Sequence, residues 1–240
     1  MMEAVSVQNL CKSYGEKQVL KNLNLSVKHG TVFGLLGANG AGKSTTIECI
    51  LGTKKADSGT VTLLGQDPKK SRRSLFQKIG VQFQEGDYQQ EIKVQELCEE
   101  TACLYRNPAD WQALCAQFGI GDKLKNPVKS LSGGERQRLF IVLALLPNPE
   151  LVFLDELTTG LDARTRRDVW KTLEELKRQG LTIFLTSHFM DEMEALCDEI
   201  CILKKGKAVF YGTVEDAKRT CGCDRLEDAY LMLSDEEERK

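Results

Sequence analysis

Two hydrophobic rhythms run along the chain. Val5 and Val7, and later Leu23, Leu25 and Val27, alternate with polar neighbours, which predicts half-buried strands paired antiparallel. Other stretches are mostly apolar with no alternation: Thr31-Val32-Phe33-Gly34-Leu35-Leu36, Leu151-Val152-Phe153-Leu154 and Leu181-Thr182-Ile183-Phe184-Leu185. Runs with no polar face belong to strands covered on both sides, as in a parallel sheet. Shorter strands are expected over 60–64, 79–84 and 199–203, with turns at Ser58-Gly59, His29-Gly30 and Lys205-Gly206.

The helical period appears first over 44–51, closed by Gly52. It then dominates from Glu91 to Leu146. Val94, Leu97, Cys98, Thr101 and Tyr105 form one stripe, ended by Asn107-Pro108, and a second helix covers 109–118 before Gly119. Leu139, Val142, Leu143 and Leu146 form a third stripe, stopped by Pro147 and Pro149. Further helices are expected over 164–178, with Val169, Leu173 and Leu176 inward, and over 226–233. The pattern predicts an α/β chain. Its parts are an N-terminal antiparallel β subdomain, a parallel core, a helical subdomain inserted at about 88–147, and a short helix with an acidic tail after about residue 215.

Composition narrows the partners. With 41% apolar residues the 240-residue chain can fill a complete core. The 33 basic and 35 acidic residues are interspersed and leave a net charge of −2, so no electrostatic case exists for nucleic acid. No run approaches the ~20 apolar residues that cross a bilayer. Met1-Met2-Glu3-Ala4 lacks the basic and apolar regions of a signal peptide, and the chain is expected in the cytoplasm. Its nine cysteines are read as free thiols and its two histidines stand apart, which disfavours a metal centre built on them.

The candidate chemistry begins at Gly37-Ala38-Asn39-Gly40-Ala41-Gly42-Lys43-Ser44-Thr45, which fits G-x-x-x-x-G-K-[ST] between a predicted strand and a predicted helix. Backbone N–H groups must close on a polyphosphate, and glycines permit that approach. The helix adds its positive N-terminal end, Lys43 a full charge beside the β- and γ-phosphates, and Ser44 a hydroxyl for Mg²⁺. The core is therefore expected to be that of a phosphate-loop NTPase. Ser132-Gly133-Gly134-Glu135 opens a helix with an S-x-x-E capping box. Two glycines in that first turn cost helix stability, which makes sense if an anion must approach closely. Asp155-Glu156 end a buried strand where ligands bind in open parallel sheets, one suited to Mg²⁺ and the other to polarising a water. His188 falls at the same expected edge, and Tyr14 is a lone aromatic able to carry a base.

In this order the stretches resemble the ATPase subunit of ATP-binding cassette transporters, over about residues 3 to 215. The phosphate loop is similar to its Walker A motif, Leu131 to Glu135 to its signature, Leu151 to Asp155 to Walker B, and Leu161-Asp162 to its D-loop. The resemblance makes Glu156 the catalytic glutamate, His188 the switch histidine, Tyr14 the adenine platform, and Gln84 the Q-loop glutamine, a catalytic contact and Mg²⁺ ligand beside Ser44 and Asp155. It implies ATP bound between Walker A of one copy and Ser132, Gly133, Gly134, Glu135 and Asp162 of another, with Mg²⁺ as cofactor. The second copy is the chain itself or a paralogous ATPase subunit. A separate integral-membrane permease would hold the chain at the cytoplasmic face of the membrane.

One departure is Leu157, where the family usually has Pro. The ending Leu226-Glu227-Asp228-Ala229-Tyr230-Leu231 is similar to that of exporters of drugs, antibiotics, lipids or polysaccharides with separate permeases. A non-transport cytosolic ATPase of this family and a non-hydrolysing ATP-dependent regulatory module stay open. A GTPase is disfavoured, since no N-K-x-D motif follows the loop.

Overall fold

The computed structural model describes residues 3–82, 88–89 and 91–235. Strands β1 (Glu3–Tyr14), β2 (Lys17–Lys28) and β4 (Ser58–Leu63) form an antiparallel sheet in the order β2-β1-β4. Its alternating residues meet in register, Val5 against Val27 and Val7 against Leu25. The larger sheet has the order β5-β6-β7-β3-β8-β9. There β3 (Val32–Leu36), β5 (Ile79–Gln82), β6 (Leu151–Asp155), β7 (Thr182–Thr186) and β8 (Glu199–Lys204) run parallel, and β9 (Lys207–Gly212) returns antiparallel at one edge. Every residue of β3, β6 and β7 is buried, including Asp155, Thr182 and Thr186, as strands covered on both faces require.

The two faces of this sheet feed two cores. Phe33, Phe153 and Phe184 point to the antiparallel sheet and to α1 (Lys43–Ile50), their ring centroids 5.1 Å apart in successive pairs. Val32, Leu36, Val152, Leu154, Ile183 and Leu185 face the helices of the opposite side. Those helices are α5 (Gly133–Leu145), α6 (Ala163–Arg178) and α7 (Met190–Leu196), while α2 (Arg72–Leu75) precedes β5. The helical block adds α3 (Val94–Ala102) and α4 (Trp111–Gln117), with single 3₁₀ turns at Gly121–Lys123 and Val128–Ser130. Close contact fixes α5 on the sheet: a Cβ on Gly80 of β5 would lie 1.8 Å from the Ala144 carbonyl oxygen.

Three local expectations are adjusted. The α3 helix stops at Ala102, short of Asn107-Pro108, because Leu104 N–H and Tyr105 N–H bond three residues back in tightened turns. Leu143 is only half-buried while Ile141 and Leu145 are inside, since α5 is covered by β5, α3 and α4 together. Leu176 of α6 is likewise half-buried. The strand end at 83–84 and the acidic run 236–238 lie outside the described residues.

Beyond β9 come α8 (Val214–Cys221) and α9 (Leu226–Asp235). Thr213 caps α8 through a box with Asp216. Leu226 and Ala229 of α9 are fully buried in the helix-side core, so this segment is packed on the sheet through α7, β8 and β9.

Candidate functional site

The C-terminal ends of β3, β6 and β7 lie side by side and carry the phosphate loop, Asp155-Glu156 and Ser187-His188. The loop leaves β3 at Leu36 and enters α1 at Lys43 through Gly42, whose φ of +112° excludes most side chains. A Cβ there would also press to 3.0 Å on Leu20 Cδ2 of β2. Two bonds brace the loop from outside. The Gly206 N–H, in the β8–β9 turn, donates to Ala41 O at 3.0 Å, and Gly206 O accepts from Lys21 N–H at 2.8 Å.

Lys43 is buried, and its ammonium donates to Gly37 O at 2.7 Å and Ala38 O at 3.4 Å. Desolvation pulls its pKa below the ordinary lysine value, opposed by the charges of Glu156 and Asp155. Asp155 shows the mirror image. Burial pushes its carboxyl up, Glu156 adds to the rise, and the Thr186 hydroxyl, Lys43 and Ser44 oppose it. Each is a charge starved of solvent, and a phosphate with its divalent cation would relieve both at once.

Parallel register sets Asp155 directly beside Thr186, whose hydroxyl donates to Asp155 Oδ1. Asp155 Oδ2 stands 3.5 Å from Ser44 Oγ. These are hard oxygen donors suited to Mg²⁺. Among the described residues no group of three or more His, Cys, Asp or Glu is placed to hold a metal ion. Glu156 turns out of the strand with φ +53°, an uncommon conformation for a non-glycine residue. Its N–H is gripped by Thr186 O and Thr186 Oγ1, both at 3.1 Å, and Thr159 Oγ1 donates to its Oε2 at 3.4 Å. A cavity of about 420 Å³ is lined by Gly37, Ala38, Asn39, Glu156, His188, Met190 and Tyr230. The structure thus brings the phosphate loop, Asp155, Glu156 and His188 together.

Ser132-Gly133-Gly134-Glu135 is elsewhere. Ser132 Oγ accepts from Glu135 N–H at 3.2 Å, and Glu135 Oε2 from Ser132 N–H at 2.8 Å, so the capping box is formed. Glu135 also meets Lys123 at 3.3 Å, which leaves its carboxylate committed. Ser132 is exposed and is not among the residues lining the cavity at the phosphate loop. A Cβ on Gly133 would meet nothing within 4 Å and its φ is not positive, so nothing inside the chain demands glycine there. Asp162 caps α6, accepting from Arg164 N–H and Thr165 N–H at 3.0 Å each. Tyr14 is 44% exposed at the end of β1, with the Lys12 and Lys54 ammonium groups 5.1 and 5.6 Å from its ring centroid. Gln84 lies outside the described residues.

Leu157 is fully buried in the helix-side core, and its carbonyl accepts from Gln137 Nε2 at 2.9 Å. Gln137 also reaches Glu156 O at 3.3 Å, so the turn after Glu156 is held from α5 without a proline. Sequence reasoning missed Gln137, Thr186 and Tyr230. Position offered little signal: Gln137 stands among Glu135, Arg136 and Arg138, and Thr186 ends a strand that also contains Thr182.

A family model described as ABC transporter matches residues 20–159. Nod factor export ATP-binding protein I of Ralstonia nicotianae is 36% identical over 229 residues, 93% of this chain and 71% of that protein. Linearmycin resistance ATP-binding protein LnrL of Bacillus subtilis is 35% identical, over 92% of this chain and 73% of that one. Daunorubicin resistance ATP-binding protein DrrA3 of Streptomyces coeruleorubidus is 33% identical, over 93% and 72%. Among solved structures, an ATP-binding subunit of an ABC transporter superposes with a TM-score of 0.88 at 26% identity, covering 96% of this chain and 99% of that one.

Proposed function

The chain belongs to the ABC transporter family as an ATP-binding subunit, and from that premise we propose that it hydrolyses ATP to drive an exporter whose membrane-spanning permease is a separate chain. Among the described residues no helix is long and apolar enough to cross a membrane. Relatives named for Nod factor export and for linearmycin and daunorubicin resistance support the outward direction. Cargo would be chosen by the permease.

Two copies would meet head to tail, each placing Ser132 and its glycine turn against the nucleotide on the other's phosphate loop. The observation that carries this reading is the split site. Lys43, Asp155, Glu156 and His188 share one sheet edge, while a capped helix N-terminus with a glycine unexplained inside the chain faces outward. Lys43 would exchange its two carbonyl partners for phosphate oxygens and neutralise their charge. Ser44 and Asp155 would hold Mg²⁺, which supplies charge neutralisation at the phosphates. Glu156, fixed by Thr186 and Thr159, would orient the attacking water and take its proton, with His188 on the same cavity wall.

Glu156→Gln is the test. ATP binding is expected to survive, phosphate release to fall roughly 10²–10⁴-fold, and an ATP-dependent dimer to accumulate on size-exclusion chromatography. Hydrolysis near the wild-type rate would remove Glu156 from this role.

A further inference from the structure

The C-terminal helix α9 borders the nucleotide site. Its Tyr230 lines the 420 Å³ cavity together with Gly37, Glu156 and His188. The same residue lines a second cavity of about 340 Å³ with Ala38 to Ala41, Leu203 to Lys205 and Ser234. Tyr230 therefore partitions two openings that both touch the phosphate loop. Its helix is fixed: Leu226 and Ala229 are fully buried, and the Lys204 ammonium donates to Ser234 O near its end. No hydrogen bond joins the Tyr230 hydroxyl to any described residue, although the side chain is half-buried against the helix-side core. Burial also pushes its pKa above the ordinary tyrosine value, so the phenol stays a donor at neutral pH.

We propose that Tyr230 is a nucleotide-site residue on the γ-phosphate side, its hydroxyl donating to the terminal phosphate of bound ATP. This rests on the nucleotide site proposed above. Glu156 and His188 mark the cavity as the terminal-phosphate end, and Tyr14 stands outside its lining, at the hairpin. A partly buried phenol with an unused donor suits an anion, and a hydrogen bond to a charged group is stronger than one between neutral groups. The consequence is selectivity: Tyr230 would help the site tell ATP from ADP, which lacks the group it touches.

Tyr230→Phe keeps the ring and removes only the donor. In the full chain, affinities for β,γ-imido ATP and for ADP would be measured by competition against a fluorescent nucleotide, alongside thermal midpoints. The expected result is an imido-ATP affinity lowered about tenfold, with ADP affinity and midpoint unchanged. Leu231→Ala, on the exposed face of the same helix, is expected to behave as wild type in all three. Unchanged imido-ATP affinity in Tyr230→Phe, or equal losses for both nucleotides, overturns the proposal while leaving the ATPase reading intact. A wild-type chain that binds neither nucleotide overturns both.

Discussion

Glu192 of α7 is a fully buried carboxylate that the hydrolytic step does not use directly. It accepts from Trp170 Nε1 at 3.0 Å, and the hydroxyls of Ser187 and Thr158 lie beside it. It therefore sits beneath both the segment that carries His188 and the turn that follows Glu156. Burial pushes its pKa up from 4.5, against the pull of those neighbours and of Arg166. For a carboxyl raised on folding, the protonated form is favoured in the folded state. Its contribution is then fully present below the unfolded pKa and is lost as pH rises through the folded one. Glu192→Gln keeps an acceptor for Trp170 and removes the titration. The variant is expected to match wild type in stability near pH 4 and to gain on it as pH rises, levelling off above the folded pKa. Denaturant unfolding across pH would show it, and a difference independent of pH would deny that Glu192 titrates on burial.

At the scale of the element, α5 joins two tasks that compete. Its capping box stabilises the first turn, while Gly133 beside it weakens that turn and has open space on every side a Cβ would occupy. Gly133→Ala is accordingly expected to leave the fold equal or up to about 1 kcal/mol more stable. ATP-driven pairing and hydrolysis should fall together, because the methyl would intrude where a second copy's nucleotide would lie in the head-to-tail pair proposed above. A variant both more stable and fully active would mean that nothing approaches this helix end.

The same helix shows what a linear reading reaches. The capping box is a local pattern, and so is the phosphate loop, and both are legible because three or four neighbouring residues decide them. Gln137 is different: it becomes meaningful only when α5 lies against the turn at Glu156 and Leu157, contacts made across the fold. Leu157 looked like a gap in the motif for the same reason, since the bond replacing proline's rigidity comes from another element. Strand β9 escaped because Ala208 to Tyr211 is an edge run with neither clean alternation nor full burial.

At the scale of the whole molecule, the two sheets are tied together at their ends as well as through the phenylalanine layer. Tyr211 of β9 packs its ring 5.9 Å from that of Phe33 and donates its hydroxyl to Ser26 O in β2. The β8–β9 turn completes the tie, with Gly206 bonded to Ala41 on one side and Lys21 on the other. A phosphate site that opens near the start of the chain is thereby calibrated by a hairpin near its end. Length changes should be tolerated very unequally as a result. Two residues inserted after Gly65, at the open turn that follows β4, should leave nucleotide affinity intact, whereas two inserted after Lys205 should abolish it in a chain that still folds. Affinity and circular dichroism of the paired insertions would register the contrast. The hairpin acts as a gauge block for the loop, its two bonds setting where Ala41 stands against β2.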